Sequence, residues 1–175
     1  DGERPPLPIM IGSNSNEMSL FTLTTPITLA GYEALLRQTA PLVADRLLEL
    51  YPASDNASAK QAYHDLFGDI IFNCPTLTFA SQLSSAGQAV WVYLFDHALS
   101  TGAASRLGAT HALELPFVFN NHHQPLYGSP FNEVDAALSD EMSDAWARFA
   151  HSGDPQGDAP TWRPYREPNA SASRF

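Results

Sequence analysis

His111 lies in the stretch Gly108-Ala109-Thr110-His111-Ala112-Leu113-Glu114-Leu115-Pro116-Phe117-Val118-Phe119, in a loop just ahead of a short apolar segment. An imidazole in such a place can accept and return a proton near neutral pH. Far upstream, Gly12-Ser13-Asn14-Ser15-Asn16-Glu17 puts a carboxylate just past a short strand, where it can orient that imidazole. A serine hydroxyl is a weak nucleophile until an imidazole takes its proton, and the imidazole in turn needs a carboxylate to fix its tautomer and stabilise its cation. Glu17 is therefore a candidate to orient His111 as a proton shuttle, and no serine of the chain occupies a Gly-x-Ser-x-Gly nucleophile turn. Ser85-Ala86-Gly87 matches the second half of that motif, but Leu83 stands where its first glycine belongs and the segment closes a helical pattern. It reads as a decoy.

Other polar residues have plainer readings. His97 follows a strand pattern and competes with His111, but its surroundings suit a structural turn. His122-His123 has no third ligand at a useful spacing and reads as a solvated loop, so no metal site is expected. Cys74 is the single cysteine and cannot form an internal disulfide; it reads as a buried free thiol. No cofactor is expected.

Elements must position these groups. Leu7 to Ile11 is a short branched apolar run ended by Gly12, a strand followed by a loop. Tyr32 to Gln38 and Leu42 to Tyr51 have helical spacing split by Pro41. Lys60 to Phe67 forms another helix, stopped by Gly68, and Asp69 to Ser84 one that kinks or restarts near Asn73, since Pro75 has no amide to donate. Gln88 to Phe95 is the best strand, apolar without alternation and so covered on both faces. The last helix runs from Glu133 to about His151, with Val134, Leu138, Met142, Ala145 and Phe149 on one face, Asn132 as its cap and Gly153 and Pro155 at its end.

Composition bounds the reading. At 175 residues and 44% apolar content the chain is in the range of one domain with a real core. A net charge of −10 with nine Lys and Arg argues against nucleic acid or an anionic membrane surface as partner. No apolar run reaches the ~18 residues of a membrane span. Two doubly buried strands far apart in sequence cannot cover themselves. The expected fold is thus a single partial domain over residues 1–175, of α/β class, mostly helices with two or so strands of an incomplete sheet.

The blocks Leu7-Pro8-Ile9-Met10-Ile11-Gly12 to Glu17 and Phe21, Gly68-Asp69-Ile70-Ile71-Phe72-Asn73-Cys74-Pro75, Val92-Tyr93-Leu94-Phe95-Asp96-His97, His111 to Phe119, Trp146 to Pro155, and Trp162 with Pro164 occur in one order. In that order the chain resembles the C-terminal portion, roughly the last third, of the type-B carboxylesterase and cholinesterase family of α/β-hydrolases. The resemblance implies that Glu17 is the acid and His111 the histidine of a Ser-His-Glu triad, with the serine and the oxyanion loop in an absent N-terminal portion. It further implies that this chain alone is inactive, that the partner is a small-molecule ester, and that Glu114, Asp69 and Arg148 are structural ion-pair partners. The alternative is a non-catalytic cholinesterase-like binding or adhesion protein. Ala112 and Met18 stand where the family often has glycine, which matters if either position needs a positive φ. In some relatives the cysteine aligned with Cys74 is paired nearer the C-terminus, a partner that this chain lacks. Leu20, Phe21, Phe72 and Leu113, with the loops Thr22 to Gly31 and Asn120 to Phe131, would shape the substrate pockets.

Overall fold

Branched and aromatic runs become strands here. A computed structural model describes residues 7–121, 131–157, 162–166 and 172–175. Strand β1 (Ile9–Asn14) pairs in parallel with β2 (Val90–Phe95) in the register Ile9 to Val90 through Asn14 to Phe95. The two expected strands are therefore each other's partners. A third strand, β3 (Ala172–Arg174), runs parallel on the other side of β2, giving the order β1-β2-β3. β1 is only half-buried along most of its length, so just β2 fits the expectation of a strand covered on both faces.

Side chains of β2 alternate between two layers, as the strand period of two requires. Val90 and Val92 meet Ala80 on one face. Trp91 and Tyr93 meet Trp146 and Phe149 on the other. Parallel pairing demands a long crossover, and residues between β1 and β2 supply it as helices α1 (Leu29–Thr39), α2 (Ala44–Leu50), α3 (Asn56–Gly68) and α4 (Cys74–Ser85). Thr28 caps α1 through the Gly31 amide. Asp55 caps α3 in a capping box with Ser58, whose hydroxyl and amide hold the Asp55 carboxyl below its usual range. Tyr32, Leu36, Ala44, Ala59, Ala62 and Leu66 close a small core among α1, α2 and α3.

Gly68 does not stop its helix. It takes ordinary helical angles, and the chain passes through a π-turn, Asp69–Asn73, directly into α4 with Pro75 near the start. The Cys74 amide bonds back five residues to the Asp69 carbonyl, just before Pro75, which has no amide to donate. Cys74, expected to be buried, is exposed, on a stretch where Ile70, Ile71 and Leu77 are exposed as well.

After β2 come α5 (Leu115–Val118) and α6 (Glu133–Ser152). Asn132 caps α6 in a box with Asp135, and Gly153 ends it in the left-handed region. The buried stripe of α6 differs from the apolar one: Asp135, Ser139, Met142 and Ala145 face inward while Val134 is exposed. The two polar members are matched, Ser139 donating to the Phe117 carbonyl (3.1 Å) and Asp135 accepting the Asn132 amide (2.8 Å). No described helix is long and apolar enough to cross a membrane.

Two backbone positions are constrained. Gly12 lies under the ring of Tyr93, its register partner, so a Cβ there would overlap the ring carbons. Ala112, next to His111, has φ +64, a region in which an L side chain costs about 1–2 kcal/mol. Met18 is not among the positive-φ residues and lies in a 3-10 turn, so only one of the two replaced glycines leaves strain. Gly12→Ala should therefore destabilise the protein by about 1–3 kcal/mol in denaturant melts, as overpacking does. Ala112→Gly should stabilise it by up to about 1 kcal/mol, strain relief exceeding the added chain entropy; a lowered melting temperature would show that the turn is not strained.

Candidate active site

At the carboxyl ends of β1 and β2 two loops converge. Asn14 ends β1, and the chain turns at once into the 3-10 turn Glu17–Ser19, which buries the Glu17 side chain. Its Oε1 accepts the Asn14 amide at 2.8 Å, and its Oε2 lies 2.7 Å from His111 Nδ1. A carboxylate can only accept, so Nδ1 carries the proton and the imidazole lone pair is on Nε2. The ring is flanked by Phe21 and Phe72, with centroids 5.1 and 5.3 Å away. Its side chain keeps 41% exposure against 6% for Glu17. The arrangement is a buried, oriented carboxylate behind an accessible base.

Three side chains fasten the loops together. Asn14, almost fully buried, donates through Nδ2 to the Thr110 carbonyl (2.7 Å) and to Glu114 Oε2 (2.5 Å). Ser19 Oγ donates to the Leu107 carbonyl (2.6 Å) and lies 2.8 Å from Thr110 Oγ1. Asn16 receives the Ala109 amide on its Oδ1 and gives its own amide to the Ala109 carbonyl (3.1 and 3.0 Å). Gly108 must be glycine for this contact: its φ is +65 and a Cβ would collide with the Asn16 side chain. Sequence reasoning took the Ser and Asn residues after Gly12 as turn formers. Their polar density beside a glutamate was the signal of a second role.

The π-turn contributes as well. It places Phe72 on the imidazole and lets Asn73 accept from Ser13 Oγ (2.6 Å) at the end of β1. Asn73 also donates to Asp69 (2.8 Å), and Asp69 accepts the Tyr51 hydroxyl (2.7 Å), a bond that with burial pushes that phenol up to about 12. Tyr93, across from Gly12, is likewise pushed up to about 12, first by burial and then by the charges of Glu114 and Glu17. Both phenols stay neutral near pH 7, Tyr51 as a donor to Asp69 and Tyr93 as a spacer over Gly12.

The remaining sequence candidates fall elsewhere. His97 Nε2 lies 2.5 Å from Asp135 Oδ1, with the ring against Phe95 and Phe117, so it is not brought to Glu17. Glu114, Asp69 and Arg148 make no ion pair among the described residues; Glu114 and Asp69 accept neutral donors, and Arg148 Nε donates to the Pro155 carbonyl (3.0 Å). The resemblance's ion pairs are replaced by hydrogen bonds because no described cation is placed opposite those carboxylates. Ser85 ends α4 just before β2, at the edge of the sheet opposite the paired loops. Leu113 is core, fully buried, while Phe21 is half exposed. His122-His123, with most of the loop Asn120 to Phe131, lies outside the described residues. Among the described residues no group of His, Cys, Asp and Glu could hold a metal.

Known proteins resemble this chain over most of its length. The model of the Carboxylesterase family matches residues 2–174. The chain is similar to acetylcholinesterase of Gallus gallus, 33% identical over 144 residues, which is 78% of this chain and 18% of that protein. It is similar to fumonisin B1 esterase of Sphingopyxis macrogoltabida, 33% identical over 164 residues, 89% of this chain and 30% of that protein. Para-nitrobenzyl esterase of Bacillus subtilis (strain 168) is 31% identical over 175 residues, 95% of this chain and 34% of that protein. The chain thus spans about a third or less of the length of the relatives it matches. Its three parallel strands and flanking helices are part of an α/β-hydrolase fold, and the chain belongs to the carboxylesterase family.

Proposed function

We propose that the protein carrying this chain is a serine carboxylic-ester hydrolase working through an acyl-enzyme, to which this chain contributes the acid, Glu17, and the general base, His111. The observation that carries the proposal is the 2.7 Å bond between a buried carboxylate and His111 Nδ1, which turns the basic Nε2 away from the protein's own carboxylate. The nucleophilic serine and the oxyanion donors belong to a part of the fold outside these residues. Support comes from the absence of a Gly-x-Ser-x-Gly turn in the chain and from the share of the relatives' length it covers. The apolar side chains of Ile70, Ile71, Leu77, Phe79, Leu115 and Phe119 stand exposed, as surfaces of an incomplete fold would.

In this mechanism the serine oxygen bonds to the ester carbonyl carbon while its proton moves to His111 Nε2. Collapse of the tetrahedral intermediate breaks the bond to the alcohol oxygen, which takes that proton from the imidazolium. Water repeats the cycle on the acyl-enzyme and releases the carboxylic acid. Glu17 stays ionised throughout, holding the tautomer and stabilising the imidazolium. Phe21 and Phe72 would offer the substrate an apolar wall beside the base. No cofactor or metal takes part, and the chain by itself is inert. An adhesion protein would have no use for so ordered a carboxylate–imidazole pair.

A fluorophosphonate probe should label one serine of the full-length protein and none in this chain expressed alone; a labelled serine within residues 1–175 would overturn the division of labour. Glu17→Gln should keep the fold but lower kcat by roughly 10³–10⁴-fold, as loss of the orienting carboxylate does in other triads. Asn14→Leu should lower kcat by roughly 10²-fold through a small misplacement of His111, with a much smaller change in KM. If KM rises and kcat holds, Asn14 shapes the pocket and does not position the base.

A further inference from the structure

Positive charge is scarce on this chain: nine Lys and Arg against nineteen Asp and Glu. Three of the described cations are matched, Arg37 with Asp45, Arg46 with Glu49 and Arg174 with Asp96. Lys60 and Arg106 have no carboxylate partner among the described residues, yet they line one cleft of about 550 Å³ together with His64, Asn16, Leu23 and Leu107. Among the described residues no Asp or Glu lines it. Lys60 is half-buried, and a half-desolvated ammonium without a counter-charge is unfavourable. The charge is felt locally: burial first, and Lys60 second, hold the His64 imidazole below its usual range against the smaller opposing charge of Asp65. A half-buried Lys60 and an exposed Arg106, neither with a described carboxylate partner, thus line one hollow of an acidic chain, a setting that favours an anion.

We infer that this cleft binds an organic monocarboxylate, its oxyanion held by Lys60 and Arg106 and its short apolar body lying against Leu23 and Leu107. Two cations suit one carboxylate. The half-exposed Leu23 and the neighbouring Leu107 supply apolar surface that an inorganic anion would not use. The occupant would sit behind the Glu17–His111 pair, whose residues do not line the cleft. Its wall includes Asn16, which precedes Glu17, and Gly108, which opens the His111 loop. Behind the lining residue His64, Thr22 Oγ1 lies 2.5 Å from His64 Nε2 and donates to the Met18 carbonyl (3.2 Å) in the turn that carries Glu17. A bound carboxylate therefore touches both loops of the pair and has a route to alter their spacing. Binding does not depend on the hydrolase reading, since it is measured without turnover.

Calorimetric titration of the full-length protein with hexanoate, acetate, inorganic phosphate and chloride tests it. Hexanoate should bind one saturable site, about tenfold or more tighter than acetate because of its added methylenes. K60Q/R106Q should weaken hexanoate by about tenfold or more, while K60R/R106K keeps it, and hexanoate should shift the His64 imidazole resonances. A hexanoate signal that survives K60Q/R106Q in a protein with unchanged melting temperature belongs to another site and overturns the inference. Phosphate binding as tightly as hexanoate would overturn the organic-acid assignment, and affinity no better than chloride would overturn the site.

Discussion

Everything at the paired loops depends on keeping two side chains 94 residues apart in sequence within 2.7 Å of each other. Neither loop can do this alone. The constraint is met by burying Asn14, whose amide hydrogen fixes one oxygen of Glu17 while its side-chain nitrogen holds the carbonyl just before His111. One residue thus sets the carboxylate and the imidazole from a single strand end. Because Asn14 is sealed from water, each of these bonds is costly to leave unmade, which makes the arrangement stiff. Ser19 and Asn16 add links between the same loops, so the contact is over-determined and not balanced on one bond.

The sheet is what allows Asn14 to be sealed. β1 and β2 run in parallel, so both release their chains at one edge, and the loops meet there without a long detour. Gly12 permits the Tyr93 ring to lie against β1, close enough to Glu17 and Glu114 to feel both charges. On the opposite face α4 packs against Val90 and Val92, and its π-turn extension brings Phe72 and Asn73 to the same edge. A regular helix through Asp69–Asn73 would carry those two side chains to a different rotation. The irregularity is therefore what lets one helix both cover the sheet and reach the imidazole.

Legibility in the sequence followed physical signal strength. β1 and β2 were readable because branched and aromatic runs have no other stable home, and α6 because its cap and terminal glycine bracket a periodic stripe. β3 was not: Ala172-Ser173-Arg174 is too short and too polar to show a period, and only its partner β2 makes it a strand. Gly68 misled because glycine is a common stop, yet it is buried in a continuous helix where a longer side chain's absence goes unnoticed by the backbone. The inward turn of Asp135 and Ser139 was hidden because a hydrophobic pattern cannot register polar groups whose partners lie on other segments. Glu17 and His111 stood out by type and context, whereas Asn14 looked like any turn residue until its partners across the sheet were in place.

Among the described residues two histidine–carboxylate pairs occur, and they differ in which nitrogen they engage. In His97 the carboxylate of Asp135 meets Nε2, the ring's far nitrogen, so the outer end of the side chain is turned into the start of α6 and packed between Phe95 and Phe117. The same carboxylate closes the capping box, accepting the Asn132 amide, so moving it would cost α6 its cap. In His111 the carboxylate meets Nδ1, the near nitrogen, and the side chain is nearly twice as exposed, 41% against 22%. In a neutral imidazole only the second arrangement puts the lone pair on Nε2, at the tip of the side chain. Two contacts of almost equal length therefore have opposite consequences: one ties a histidine to a helix terminus, and the other sets a histidine facing away from the carboxylate that orients it.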